Sequence, residues 1–160
     1  MDGLVFVLAF LAALGSGLVA GIFFAFSAFI MAALGRIPAP KGISAMQSIN
    51  VVVLNPVFFS AFFGTGIVCL ALAVVALAAW SAPAALYLLA GALLYLVGCL
   101  LVTIVFNVPL NNRLKAVSAE SAEGASTWTE YLSTWTTWNT VRTIASLAAS
   151  ALFILAINAS

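Results

Sequence analysis

The sequence predicts an all-α integral membrane protein, a bundle of four transmembrane helices in a single domain, and three observations carry that prediction. Hydrophobic residues make up 66% of the 160 positions and charged residues 6%, where a soluble domain carries about a quarter. That is too little charge to cover a water-facing surface. Residues 3–35, 42–112 and 143–160 carry no charge at all. Because about 20 apolar helical residues cross a hydrocarbon core, the first gap holds one span, the second two, and the third most of a fourth. The spans predicted are 4–34, 56–79, 84–106 and 138–157, with loops 35–55 and 107–137 on one side.

The first span opens at Met1-Asp2-Gly3, which lacks the basic start of a secretory signal, and its apolar run to Leu34 is too long for one. It is expected to be a retained helix. Ala9, Ala13, Gly17, Gly21 and Ala25 recur every four residues, a small-residue stripe that permits close helix approach within the bundle or between copies of the chain. At about 46 Å by helical rise the element exceeds the bilayer core, so it should tilt, protrude, or bend near Gly15-Ser16-Gly17. Gly35 is expected to end it.

Arg36-Ile-Pro-Ala-Pro-Lys41-Gly42 reads as a turn, because two prolines and a glycine oppose helix continuation. A short helix is expected from Ile43. Asn55-Pro56 marks the next start, Asn as N-cap and Pro as first helical residue. Trp80-Ser-Ala-Pro83 makes a tight connection into the third span, whose end carries a proline inside Asn107-Val-Pro-Leu-Asn111. Such a proline frees a carbonyl one turn back and bends the axis. Residues 112–126, broken by Gly124, are predicted as the main exposed loop. The last helix is expected to begin near Thr127, its apolar part near Trp138.

With four spans, Arg36, Lys41, Arg113 and Lys115 share one side, and no Lys or Arg lies on the other. The positive-inside rule then puts the polar loops in the cytoplasm and both termini outward, as expected for a bacterial inner membrane. A net charge of +1 without a basic cluster excludes nucleic acid as a partner. The partners expected are the lipid bilayer, a hydrophobic small molecule and, through the small-residue stripe, a second copy of the chain.

The same topology gathers polar residues at one membrane face. Gln47, Asn50 and Asn55 precede the second span, Asn107 and Asn111 end the third, and Asn139 and Arg142 open the fourth. Within each pair the spacing is three or four, so each helix presents a two-residue polar face. These amides fit helix capping and helix–helix adhesion. Arg142 fits either of two placements, snorkelling to headgroups or facing inward as a permanent cation for an anionic group in an apolar cavity. Water exclusion would make the second placement a strong oxyanion site. Trp135 and Trp138, with Phe24 on the first span, fit an aromatic belt or the wall of a pocket for a flat ligand.

Absences narrow the chemistry. The chain has no His, and Cys69 and Cys99 fall singly inside apolar spans, so the usual zinc, copper and haem ligand sets cannot be assembled from side chains; no metal or other cofactor is expected. No carboxylate lies inside a span, which removes the ordinary relay of a proton-coupled transporter. Ser27, Ser60 and Thr103 have no activating base beside them in sequence. Glu130 and Tyr131 are the nearest candidates for one.

Gly21-Ile-Phe-Phe-Ala-Phe-Ser27, Met46-Gln47-Ser-Ile-Asn50, Asn55-Pro56, Asn107-Val-Pro-Leu-Asn111 and Trp135-Thr-Thr-Trp138-Asn139-Thr-Val-Arg142 resemble a family of membrane proteins that includes the fungal anthrone oxygenases. The resemblance covers nearly the whole chain. It implies four spans and a cofactor-independent oxidation of an anthrone to an anthraquinone by O2. In that chemistry Arg142, Asn139, Asn107 and Asn111 would be the catalytic candidates, serving the oxyanion. Gln47, Asn50, Phe24, Trp135 and Trp138 would bind the rings. The alternative is a non-catalytic protein that binds a lipid or hydrophobic molecule, or a subunit of a membrane assembly.

Overall fold

The computed structural model describes residues 2–159. Among the described residues there are five helices: α1 Gly3–Gly35, α2 Ala39–Val52, α3 Pro56–Ala78, α4 Ala85–Ala116 and α5 Ala122–Asn158. All but α2 are long and apolar enough to cross a membrane, as the charge gaps predict.

Asp2 caps α1 by accepting from the Val5 N–H at 2.9 Å. The helix does not break at Gly15-Ser16-Gly17. It is α-helical to Ala25 and then widens into a π-helical turn over Phe26–Ile30. Gly15 instead makes room for the Thr65 side chain, which lies where a Cβ would stand. The helix ends at Gly35, as expected. α2 starts at Ala39 rather than Ile43, because Pro40 occupies its first turn, where a missing N–H costs nothing. Asn55 caps α3 by accepting from Phe58 N–H at 3.0 Å, with Pro56 as the first helical residue.

The largest departure from expectation lies between the third and fourth spans. Residues 107–137 are helical except for 117–121. α4 passes through Pro109 because the turn before it is already π-helical over Thr103–Asn107, with Val108 N–H donating to the carbonyl of Thr103. Gly124 does not break the chain. It lies in the first turn of α5, and a Cβ there would collide with the carbonyl of Ser118. Its bareness lets the five-residue link fold tightly against the new helix, and Ser121 caps that helix by accepting from Gly124 N–H at 2.9 Å.

The four long helices run alternately up and down. α1 packs most extensively on α5 and also on α3, α3 on α4, and α4 on α5. The bundle core holds Val19, Phe62, Leu72, Tyr95 and Phe153. Tyr95 is fully buried, and its hydroxyl donates to the Phe62 carbonyl at 2.9 Å, avoiding the ~1–3 kcal/mol that an unpaired buried group costs. A second core around Ile43, Met46, Leu114, Trp128 and Tyr131 joins α2 to the polar extensions of α4 and α5. The bundle therefore carries a folded cap. α3 packs on α4 chiefly along Ala85–Leu101, and the two helices lie further apart beneath that cap.

Candidate functional site

Where α3 and α4 part, a cavity of about 310 Å³ opens between the bundle and the cap. Phe58, Phe62 and Phe63 of α3, Phe23 and Phe26 of α1, and Ile104 of α4 form apolar walls. Phe59, Phe63, Ile104 and Val108 are all wall residues with substantial exposure, so the cavity is open along the flank between α3 and α4. The polar groups on the wall are Asn50, Thr103, Asn111, the Trp135 indole and Arg142.

Arg142 faces inward and is 4% exposed. Its Nη2 donates to Asn139 Oδ1 at 2.7 Å and its Nη1 to Thr103 Oγ1 at 3.1 Å. The guanidinium carbon lies 4.0 Å from the centre of the Phe23 ring and 5.4 Å from that of Trp135, contacts worth up to about 2 kcal/mol when desolvated. Its Nε is buried with no partner. Among the described residues, the one ion pair is Arg113 with Glu130. The buried cation thus has amide, hydroxyl and ring partners but no carboxylate to neutralise it.

Helical spacing places these groups. Asn139 and Arg142 are three apart on α5, so both point toward α1. Asn139 Nδ2 donates to the Phe23 carbonyl and to Ser27 Oγ, each at 2.7 Å. Because Arg142 can only donate and a carbonyl can only accept, both ends of that amide are fixed in orientation. Thr103 in turn donates to the Cys99 carbonyl at 2.7 Å, leaving a lone pair for Arg142.

A second network closes the cap side. Asn111 Oδ1 accepts from Tyr131 Oη at 2.7 Å and from Trp135 Nε1 at 2.8 Å. Since an indole N–H can only donate, the Asn111 Nδ2 donor is left for the cavity that the side chain lines. Asn50 Nδ2 reaches Tyr131 Oη at 3.4 Å.

The remaining sequence-derived candidates lie elsewhere. Asn107 is buried behind Trp135, donating to its carbonyl at 3.2 Å. Gln47 donates to the carbonyls of Leu114 and Val117, at 2.8 and 3.1 Å, and so satisfies the C-terminal end of α4. Trp138 stacks on Phe106, ring centres 3.6 Å apart, outside the cavity. Phe24 is 59% exposed and turned away, and its expected wall position falls to Phe23. Of the two base candidates, Glu130 is exposed and paired with Arg113 through two 2.8 Å bonds. Those bonds, and then the Arg113 charge, hold its carboxyl below the usual range. Tyr131 is buried in the amide network.

Thr103, Ser27 and Phe23 are the site residues that sequence reasoning missed as partners of Asn139 and Arg142. A family model described as anthrone oxygenase matches residues 57–152, more than half of the chain and the stretch that supplies Thr103, Asn111, Trp135 and Arg142. No curated protein and no solved structure gives a match. The chain, an integral membrane protein, belongs to the anthrone oxygenase family.

Proposed function

We propose that this protein is a membrane-embedded oxygenase that works without a cofactor on an anthrone or a related polycyclic phenol, with Arg142 stabilising the substrate oxyanion. The observation that carries the reading is the guanidinium on the wall of an aromatic cavity with no carboxylate to neutralise it. A charge at helix centre costs about 2.5–3.5 kcal/mol, and an anionic ligand would offset that cost.

The chemistry suits such a site. An anthrone loses one methylene proton, and the resulting anion carries its charge on oxygen. That electron-rich anion passes one electron to O2; the carbon radical and superoxide combine, and the protonated peroxide loses water to leave the quinone. One anthrone and one O2 give one anthraquinone and one water, the methylene carbon being oxidised and O2 reduced. Arg142 favours the first step by stabilising the anion in a water-poor space, with Asn139 and Thr103 holding the cation in place. The apolar walls hold the tricycle, which reaches them from the bilayer through the flank between α3 and α4. Loops on the cytoplasmic side of a bacterial inner membrane accord with the placement of Arg36, Lys41, Arg113 and Lys115.

A second reading, binding without turnover, is favoured by one observation: no Asp, Glu or His lines the cavity to take the proton. Purified protein in detergent, treated with chelator, separates the two. The oxygenase consumes one O2 per anthrone and is silent under argon. No rate above the detergent blank across several anthrones overturns the enzyme reading, and a bound ring without turnover then establishes the second.

A further inference from the structure

A smaller hollow of about 140 Å³ adjoins the cavity between α2 and α4 and shares Asn50, Leu54, Val108 and Asn111 with it. Gln47, Asn112 and Lys115 complete its polar rim. Asn111 and Lys115 are four apart on α4, hence on one face. The neighbouring Arg113 is taken up by Glu130, whereas Lys115 has no ion-pair partner among the described residues. Asn111 brings the donor that its own network leaves free, since Oδ1 receives both Tyr131 and Trp135. Thr103, which holds Arg142, and Asn111 are eight positions apart on α4, so the two groups stand about two turns apart along the helix.

The geometry points to a second anion subsite: Lys115 and the Asn111 amide receive a carboxylate borne by the same ring system whose oxyanion Arg142 holds. This rests on the reading of the main cavity and deepens it, since the substrate class becomes a polycyclic phenol carrying an acidic substituent on an outer ring, away from its reacting oxygen. The joined hollows then have a cation at each end and aromatic walls between. A neutral ring would leave the Lys115 end to water, and a lipid phosphate at Lys115 would have no reason to depend on a ring.

The test uses the full chain in nanodiscs of zwitterionic lipid and, separately, of lipid with an anionic fraction. Two probes are titrated, a dihydroxyanthraquinone and the same ring bearing one carboxylate. In wild type the carboxylated probe binds more tightly relative to the plain one, by about fivefold compared with Lys115→Met, an exposed ion pair's effect. Lys115→Arg retains the preference, and plain-ring binding and thermal unfolding are unchanged in Lys115→Met. Equal loss of both probes, a preference that survives Lys115→Met, or a Lys115 effect confined to anionic lipid each overturns the subsite. Arg142→Met read alongside separates the two claims. If it abolishes plain-ring binding while Lys115→Met changes nothing, the subsite fails and the main cavity stands; if it leaves both probes bound, the reading of the main cavity fails.

Discussion

Replacing Arg142 by Met separates a ligand-binding cation from a structural one, because the terms acting on the empty protein nearly cancel. Removing the charge relieves about 2.5–3.5 kcal/mol of burial cost at a helix centre. Against that, the variant loses up to about 2 kcal/mol of ring contact with Phe23 and Trp135 and leaves Asn139 Oδ1 buried without its 2.7 Å donor, about 1–3 kcal/mol. Unfolding in detergent should therefore move by no more than about 2.5 kcal/mol in either direction. Ligand binding behaves differently, since a charge-assisted hydrogen bond to an oxyanion is worth about 1.5–3 kcal/mol and its loss weakens binding roughly 10- to 100-fold. Fluorescence titration of a polycyclic phenolate, with thermal unfolding of the same preparation, measures both. A bundle that unfolds, or a phenolate that binds Arg142→Met as tightly as wild type, refutes the reasoning.

Phe23→Leu should weaken the empty protein by about 1–2 kcal/mol through its lost contact with the guanidinium, while Phe24→Leu, on the lipid face, leaves the unfolding curve in detergent unchanged. Glu130→Gln should leave anthrone turnover unaltered, because the carboxylate is exposed and held by Arg113; a fall in rate would restore it as the base. Gly98→Ala puts a Cβ 2.6 Å from that of Ala145, forcing α4 from α5 at a cost of about 1–3 kcal/mol, read by detergent unfolding. Trp135→Phe keeps the ring but removes the indole donor to Asn111. It should weaken ligand binding less than Arg142→Met in the same titration.

Much of this architecture was legible because charge and proline are strong local signals in an apolar chain. The charge gaps predict the four long helices, and Asn55-Pro56 predicts the cap of α3. Less legible was the azimuth of α1. The stripe Ala9, Ala13, Gly17, Gly21, Ala25 follows a strict four-residue step, which drifts about 40° around the helix each time. Gly21 is accordingly exposed, with open space about it. The buried face is Ala9, Ala12, Ala13, Ser16, Val19, Ala20 and Phe23, whose alternating steps of three and four hold one side. That pattern selects Phe23 over Phe24. The joint polar face of three helices could be read from topology, but the partner each amide takes could not. Gln47 turns to carbonyls at the end of α4, which packs on α2 through Leu114, an end hidden by the polar composition of 112–126.

The π-helical turns tie these features together. A wide turn gives up regular hydrogen bonding and is found mostly at functional sites; α1 widens over Phe26–Ile30 and α4 over Leu94–Leu101 and again over Thr103–Asn107, where they meet the middle of α5. The turn over Phe26–Ile30 contains Ser27, which receives Asn139, and the turn over Thr103–Asn107 contains Thr103, which receives Arg142. In each case the irregular turn presents a hydroxyl to α5, and the two hydroxyls together fix the pair Asn139–Arg142 from opposite sides. On the proposed reading, the donors around Arg142 pre-position its charge for an incoming anion, since donors already fixed in place need no reorganisation when the charge arrives.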